Sequence, residues 1–122
     1  MLMNETIKKL LTSEEVTIED TLDKLEQDEL VKLSQEAYEL YGSKSATERE
    51  VAIDILWYIV GKHVGDMEKH VLFLRNVLKK EIVPSILSTA CASLGHAQDA
   101  SCIPDVIKLK QHPDSEVRSR VA

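Results

Sequence analysis

Four histidines and two cysteines are the side chains of this 122-residue chain best suited to chemistry, and their spacing argues against most of it. His63, His70, His96 and His112 are followed by Val, Val, Ala and Pro. No two stand at i, i+4, the separation that puts a pair of metal ligands on one helix face. His63 and His70 straddle a turn, and all four read as surface or helix-end residues. Cys91 and Cys102 lie in apolar surroundings eleven positions apart. Two cysteines make no disulfide framework, and buried thiols behave as small hydrophobes. As a nucleophile, Cys91 would need a neighbouring base and an electropositive surround, and His96 comes five residues later, past the expected helix end. No Gly-rich phosphate loop and no serine elbow occurs. The sequence offers no catalytic, cofactor-binding or metal-ligating set, and the chain is expected not to be an enzyme.

Residues suited to binding are more informative. Trp57 and Tyr58 sit inside the apolar run Ile-Leu-Trp-Tyr-Ile-Val of residues 55–60. Trp57 is either packed in the core or set on a concave surface as an anchor for a partner. Lys108, Lys110, Arg118 and Arg120 cluster late and read as a solvated surface with an Asp114–Arg118 contact, or as an anionic-ligand site. Charge divides the chain. Residues 1–41 carry 11 acidic and 4 basic side chains, a net of −7, and residues 42–122 carry 10 acidic and 11 basic, a net of +1. The acidic part is a solvated helical face or a docking surface for a basic partner, and it repels a phosphate backbone. Nucleic acid is therefore not the expected partner, and nucleic-acid binding stands only as a weaker alternative function.

The elements holding these residues are helical. Hydrophobic residues make up 43% and aromatics 4%, with only 4 Gly and 3 Pro, so the core is aliphatic and turns are few. Asn4 can cap a first short helix carrying Ile7, Leu10 and Leu11. Thr17 with Asp20 forms a loose capping box before the stripe Ile18, Leu22, Leu25. Asp28 is expected to cap the next helix, striped by Leu30, Leu33, Ala37 and Leu40, with Gly42 as the left-handed residue that ends it. Thr47 and Glu50 form a capping box for a helix of about sixteen residues, apolar on every side from Ile55 to Val60, as in a helix sandwiched between neighbours. Gly65 and Asp66 read as a stop and a new cap. Val71, Leu74, Val77 and Leu78 stripe the helix that follows. Pro84 fits the first turn of the next one, whose small residues let another axis come close and which Gly95 is expected to close. Asp99 opens a further helix with Pro104 in its first turn, and Glu116 to Ala122 begins a last one.

The helices come in pairs, and the pairs repeat. The pattern from Ile86 to Cys91 recurs from Val117 to Ala122 at a spacing of 31. Gly61 and Gly95 are 34 apart, and Val71, Leu74 and Val77 recur as Ile103, Val106 and Leu109 at 32. Such a period with two helices per unit means a helical solenoid. The run from Ile103 to Arg118, with Asp114 and Val117-Arg118 at its end, resembles the bacterial HEAT-like repeats first described in the phycobilin lyases, as does the helix from Ile86 to Gly95. The resemblance is good over residues 82–122 and fair over 46–81. Leu87 stands where a second Arg equivalent to Arg118 would complete an Asp–Arg ladder. One HEAT-like enzyme, deoxyhypusine hydroxylase, binds a di-iron site through His-Glu pairs, and this chain has none.

The expected fold is an all-α solenoid of stacked antiparallel helix pairs, armadillo-like, in one domain. Residues 1–41 form a divergent acidic N-terminal cap and residues 42–122 the HEAT-like repeats, the last incomplete at Ala122. The natural chain is expected to continue, or its exposed C-terminal repeat to self-associate. The function implied is a protein-interaction scaffold. The resemblance also implies, as an alternative, a role beside tetrapyrrole lyases. No cofactor and no membrane span is expected, and reduced cysteines point to the cytoplasm.

Overall fold

A computed structural model describes residues 5–12 and 17–97. Every regular element among them is a helix: α1 (Glu5–Thr12), α2 (Ile18–Leu22), α3 (Gln27–Leu40), α4 (Ala46–Gly61), α5 (Met67–Lys80) and α6 (Pro84–Ala97). The expected Asn4 cap, Cys102, His112, the late basic residues and the incomplete last repeat lie outside the described residues.

Helix starts follow from which side chain reaches the free amides first. Thr17 caps α2, its hydroxyl accepting from the Asp20 amide at 3.0 Å. Asp66 caps α5, accepting from the Lys69 amide at 3.2 Å. Pro84 opens α6, where its missing N–H costs nothing. Two starts differ from the expected ones. The helix expected at Asp28 begins after Glu26, whose amide donates to Glu29 Oε1 at 3.1 Å, and Asp28 sits in the first turn. The helix expected at Thr47 begins after Ser45, which accepts from the Glu48 amide, while Ser43 donates to the Glu48 carboxylate at 2.7 Å. The serine-rich linker thus supplies the capping hydroxyls before Thr47 can.

The ends differ too. Among the described glycines only Gly65 has a positive φ, so Gly42 is not the left-handed stop expected of it. Tyr41 leaves α3 with right-handed dihedrals instead. After α4 it is His63, at φ 54°, that takes the left-handed position. Its amide donates to Val60 O, and the Val64 amide donates to Ile59 O at 3.2 Å, the two bonds of a Schellman stop. Val64 folds back into the core behind it. α6 runs past Gly95 to Ala97. Gly95 faces open space, so it interrupts no packing and the helix tolerates it.

α4 is the centre of the molecule, packed against α1, α2, α3, α5 and α6. Ile53, Ile55, Leu56, Ile59 and Val60 are wholly buried, which is why its sequence shows no single apolar stripe. α3 packs on α4, α5 packs on α6, and the most extensive contact joins α4 to α6. Ser88, Ala90, Cys91 and Ser93 are buried on α6, as its small residues imply for a close approach. The Ser93 hydroxyl donates to Thr89 O at 2.9 Å, so its burial leaves no donor unsatisfied. α3 and α5 meet through long side chains: Phe73 lies against both Tyr38 and Tyr41, with ring centroids 4.5 and 5.6 Å away. No helix among the described residues is long and apolar enough to cross a membrane.

Candidate functional site

Three polar constellations interrupt this aliphatic framework, and two of them hold the fold together. In the first, Glu81 joins three elements. Its Oε2 accepts from the amides of Ile82 and Val83 at 3.0 and 3.1 Å. Its Oε1 accepts from Arg49 Nε at 3.1 Å and from the Tyr41 hydroxyl at 2.8 Å. Burial opposes ionisation of this carboxyl, but the amide of Val83, Arg49, Tyr41 and the amide of Ile82 outweigh it and hold its pKa below the ordinary value. Burial, followed by the bond to Glu81, raises the Tyr41 hydroxyl well above its ordinary range.

The second constellation corrects an expectation. His70 is not a surface residue but is 1% exposed on α5. Its Nε2 faces Val64 O at 3.0 Å and its Nδ1 meets the Tyr38 hydroxyl. A carbonyl only accepts, so Nε2 carries the proton and Nδ1 accepts from Tyr38. Burial depresses the pKa of this imidazole. The ring also closes the turn before α5: a Cβ on Gly65 would stand 3.2 Å from His70 Nε2, at a φ of 82°.

The third constellation faces solvent. Two adjoining hollows lie between α2, α4 and α6, and Trp57 and His96 line both. One, of about 280 Å³, is also walled by Glu19, Asp23, Tyr58 and Lys62. The other, of about 300 Å³, is walled by Ile18, Asp54, Thr89 and Ala92. Trp57 is half-buried, with the His96 ring edge-on to it at 6.2 Å. Trp57 thus lies at the core's margin, with part of its surface free to meet another molecule. In the first hollow the Tyr58 hydroxyl donates to Asp23 at 2.5 Å, and Lys62 Nζ lies 5.6 Å from the Tyr58 ring centre. Burial and then the bond to Asp23 push the Tyr58 hydroxyl up to about 12. In the second hollow, burial and then the neighbouring Glu50 carboxylate push Asp54 up to about 7.

Sequence reasoning singled out Trp57 and Tyr58 but passed over Asp54. The signal was present, for Asp54 is the one charged residue in the run from Val51 to Val60. A carboxylate inside such a run is seldom there for packing. The other sequence candidates do not converge. His63 is exposed in the α4–α5 turn, and Cys91 is buried in the core at 3% exposure. Among the described residues no three His, Cys, Asp or Glu side chains are grouped to hold a metal ion. The one hydroxyl among the described residues lining the second hollow, that of Thr89, donates to Ser85 O at 3.1 Å. The grooved face therefore offers an aromatic wall, carboxylates and a cation, a set suited to holding a polar chain. Compared with known proteins, the chain matches no family model, and no curated protein and no solved structure is recognisably similar to it.

Proposed function

We propose that this chain is a protein-interaction module of HEAT-like helical repeats, a scaffold rather than an enzyme, which grips a basic polypeptide in the groove lined by Trp57. The observation that carries this reading is the position of Trp57, half-buried among the apolar residues 55–60 of α4, where it lines both hollows. Aromatic anchors flanked by apolar and polar walls are what interfaces use. The charge favours a basic occupant: among the described residues Glu19, Asp23 and Asp54 line the hollows against one lysine, Lys62.

Two features support the repeat reading. α3–α4 and α5–α6 are consecutive hairpins, and their second helices pack together. Contacts also recur one repeat apart: Tyr38 meets His70 and Arg49 meets Glu81, both at a sequence separation of 32. Stacked units bring equivalent positions together in this way and leave an extended face for a partner. The tetrapyrrole alternative draws on the repeat resemblance alone.

Native mass spectrometry of the chain isolated from its own cells tests the reading. A stoichiometric polypeptide is expected on the unaltered chain. It should be lost from Trp57→Ala and kept by Leu72→Ala, a change at a residue 60% exposed on α5 and lining neither hollow. A retained tetrapyrrole, or a partner indifferent to Trp57→Ala, contradicts it.

A further inference from the structure

The two hollows are not equivalent in charge. In the first, Asp23 accepts from the Tyr58 hydroxyl, and Lys62 supplies a cation over the same ring. In the second, Asp54 has no hydrogen bond or ion pair with any described residue, and no described lysine or arginine lines the walls. The carboxylate that acts on it most is Glu50, a like charge one turn earlier on the same helix. Asp54 and Trp57 are three residues apart on α4 and so share a helix face. Across from them Thr89, Ala92 and His96 of α6 close the wall, and Ile18 of α2 forms an apolar lip.

A half-buried carboxylate with no counter-charge among the described residues is an unfavourable element of a fold. Such elements collect where a ligand completes them. Among the described residues this hollow has no lysine or arginine, and its shape selects among cations. A guanidinium is planar, so it can pair with a carboxylate through two N–H groups while its face lies on an indole. An ammonium meets the carboxylate as a point charge and gains less from the aromatic wall. Resting on the binding-module reading, we infer that the second hollow receives an arginine side chain of the partner polypeptide, its guanidinium paired with Asp54 and laid against Trp57.

The test is selection of a phage-displayed library of 12-residue peptides on the intact chain, with the Trp57→Ala chain used to remove peptides that bind elsewhere. Arginine should be enriched among the survivors. The best survivor is then synthesised and titrated at pH 8, where Asp54 is mostly ionised, with the heat of binding in isothermal titration calorimetry as readout. Its affinity should fall at least about tenfold on Asp54→Asn, on Trp57→Ala, and on replacing its arginine by norleucine, and less on replacing it by lysine. Peptides that need Trp57 but carry no arginine, or that are indifferent to Asp54→Asn, overturn the inference and leave the groove reading standing. If no peptide requires Trp57, both fall. Circular dichroism of the two variants separates lost binding from lost structure.

Discussion

Arg49 Nε lies 3.1 Å from Glu81 Oε1, and this contact fastens two turns that are 32 residues apart in sequence. The same guanidinium donates to the carbonyls of Ser43 and Lys44 at 3.3 and 2.9 Å, and the same carboxylate accepts the amides that precede α6. One ion pair thus sets the turn between α3 and α4 against the start of α6. The Glu81 side chain is 2% exposed and that of Arg49 is 18% exposed. Removing the guanidinium strands a buried carboxylate. Arg49→Ala should cost about 2–3 kcal/mol in urea unfolding, below the full value for a wholly buried pair because Arg49 keeps some contact with water. Glu81 has a depressed pKa when folded, so the clasp's contribution is complete above its ordinary value of 4.5 and is lost as pH falls below it. A loss under about 0.5 kcal/mol, typical of surface pairs, would show that the clasp is ornamental.

His70 should give the protein a second acid-sensitive window at higher pH. Its folded pKa lies below the ordinary 6.5, so above 6.5 the ring is neutral in both states. As pH falls below 6.5 the unfolded chain takes up a proton that the native ring resists, and stability declines by up to about 1.4 kcal/mol per pH unit until the folded value is reached. The comparison to make is between the unaltered chain and His70→Gln, by thermal unfolding from pH 8 to pH 5. The slope should flatten in the variant. Parallel slopes would mean that the imidazole is not held neutral between Tyr38 and Val64.

His63 occupies a left-handed position that favours glycine. It is exposed and closes α4 through its backbone. His63→Gly should therefore stabilise the protein by about 1 kcal/mol, with the melting temperature rising by several degrees. A lower melting temperature would mean that the imidazole contributes something the backbone does not show.

Much of the helical framework was legible because its signals are local. The run from Ile55 to Val60 marks a helix surrounded by others, and α4 is that helix. Thr17, Asp66 and Pro84 stand where the sequence places helix starts. The misplaced boundaries have a common cause: Ser45 competes with Thr47 and Glu26 with Asp28, and which residue caps depends on how the preceding turn is held. The burial of His70 could not be read from α5, because the partners that make it tolerable, Tyr38 and Val64 O, come from α3 and from the turn before α5. The groove was half legible. Trp57 drew attention as an aromatic, whereas Asp54 counted as one more charge until its side chain was placed without a partner among the described residues.

Asp54→Asn separates stability from binding. With a pKa near 7, the native carboxyl keeps its proton where the unfolded chain, at 3.8, releases it. The native state therefore loses ground as pH rises from about 4 to about 7. Asparagine has no such penalty. The variant should be more stable at pH 8 by about 1 kcal/mol, with the gap closing toward pH 4, while its hold on a basic peptide weakens. Guanidinium chloride would compete for an arginine site, so urea is the denaturant to use. A variant less stable at pH 8 would mean that Asp54 already has its counter-charge within the fold.

The most direct measurement uses the single tryptophan as its own reporter. Acrylamide quenching of Trp57 emission is recorded for the chain alone and for the chain with its bound polypeptide. Alone, the half-buried indole should still be quenched by acrylamide. With the partner bound, the quenching constant should fall several-fold as the groove is covered. Equal quenching in the two states would place the partner on another face and contradict the assignment of Trp57 as its anchor.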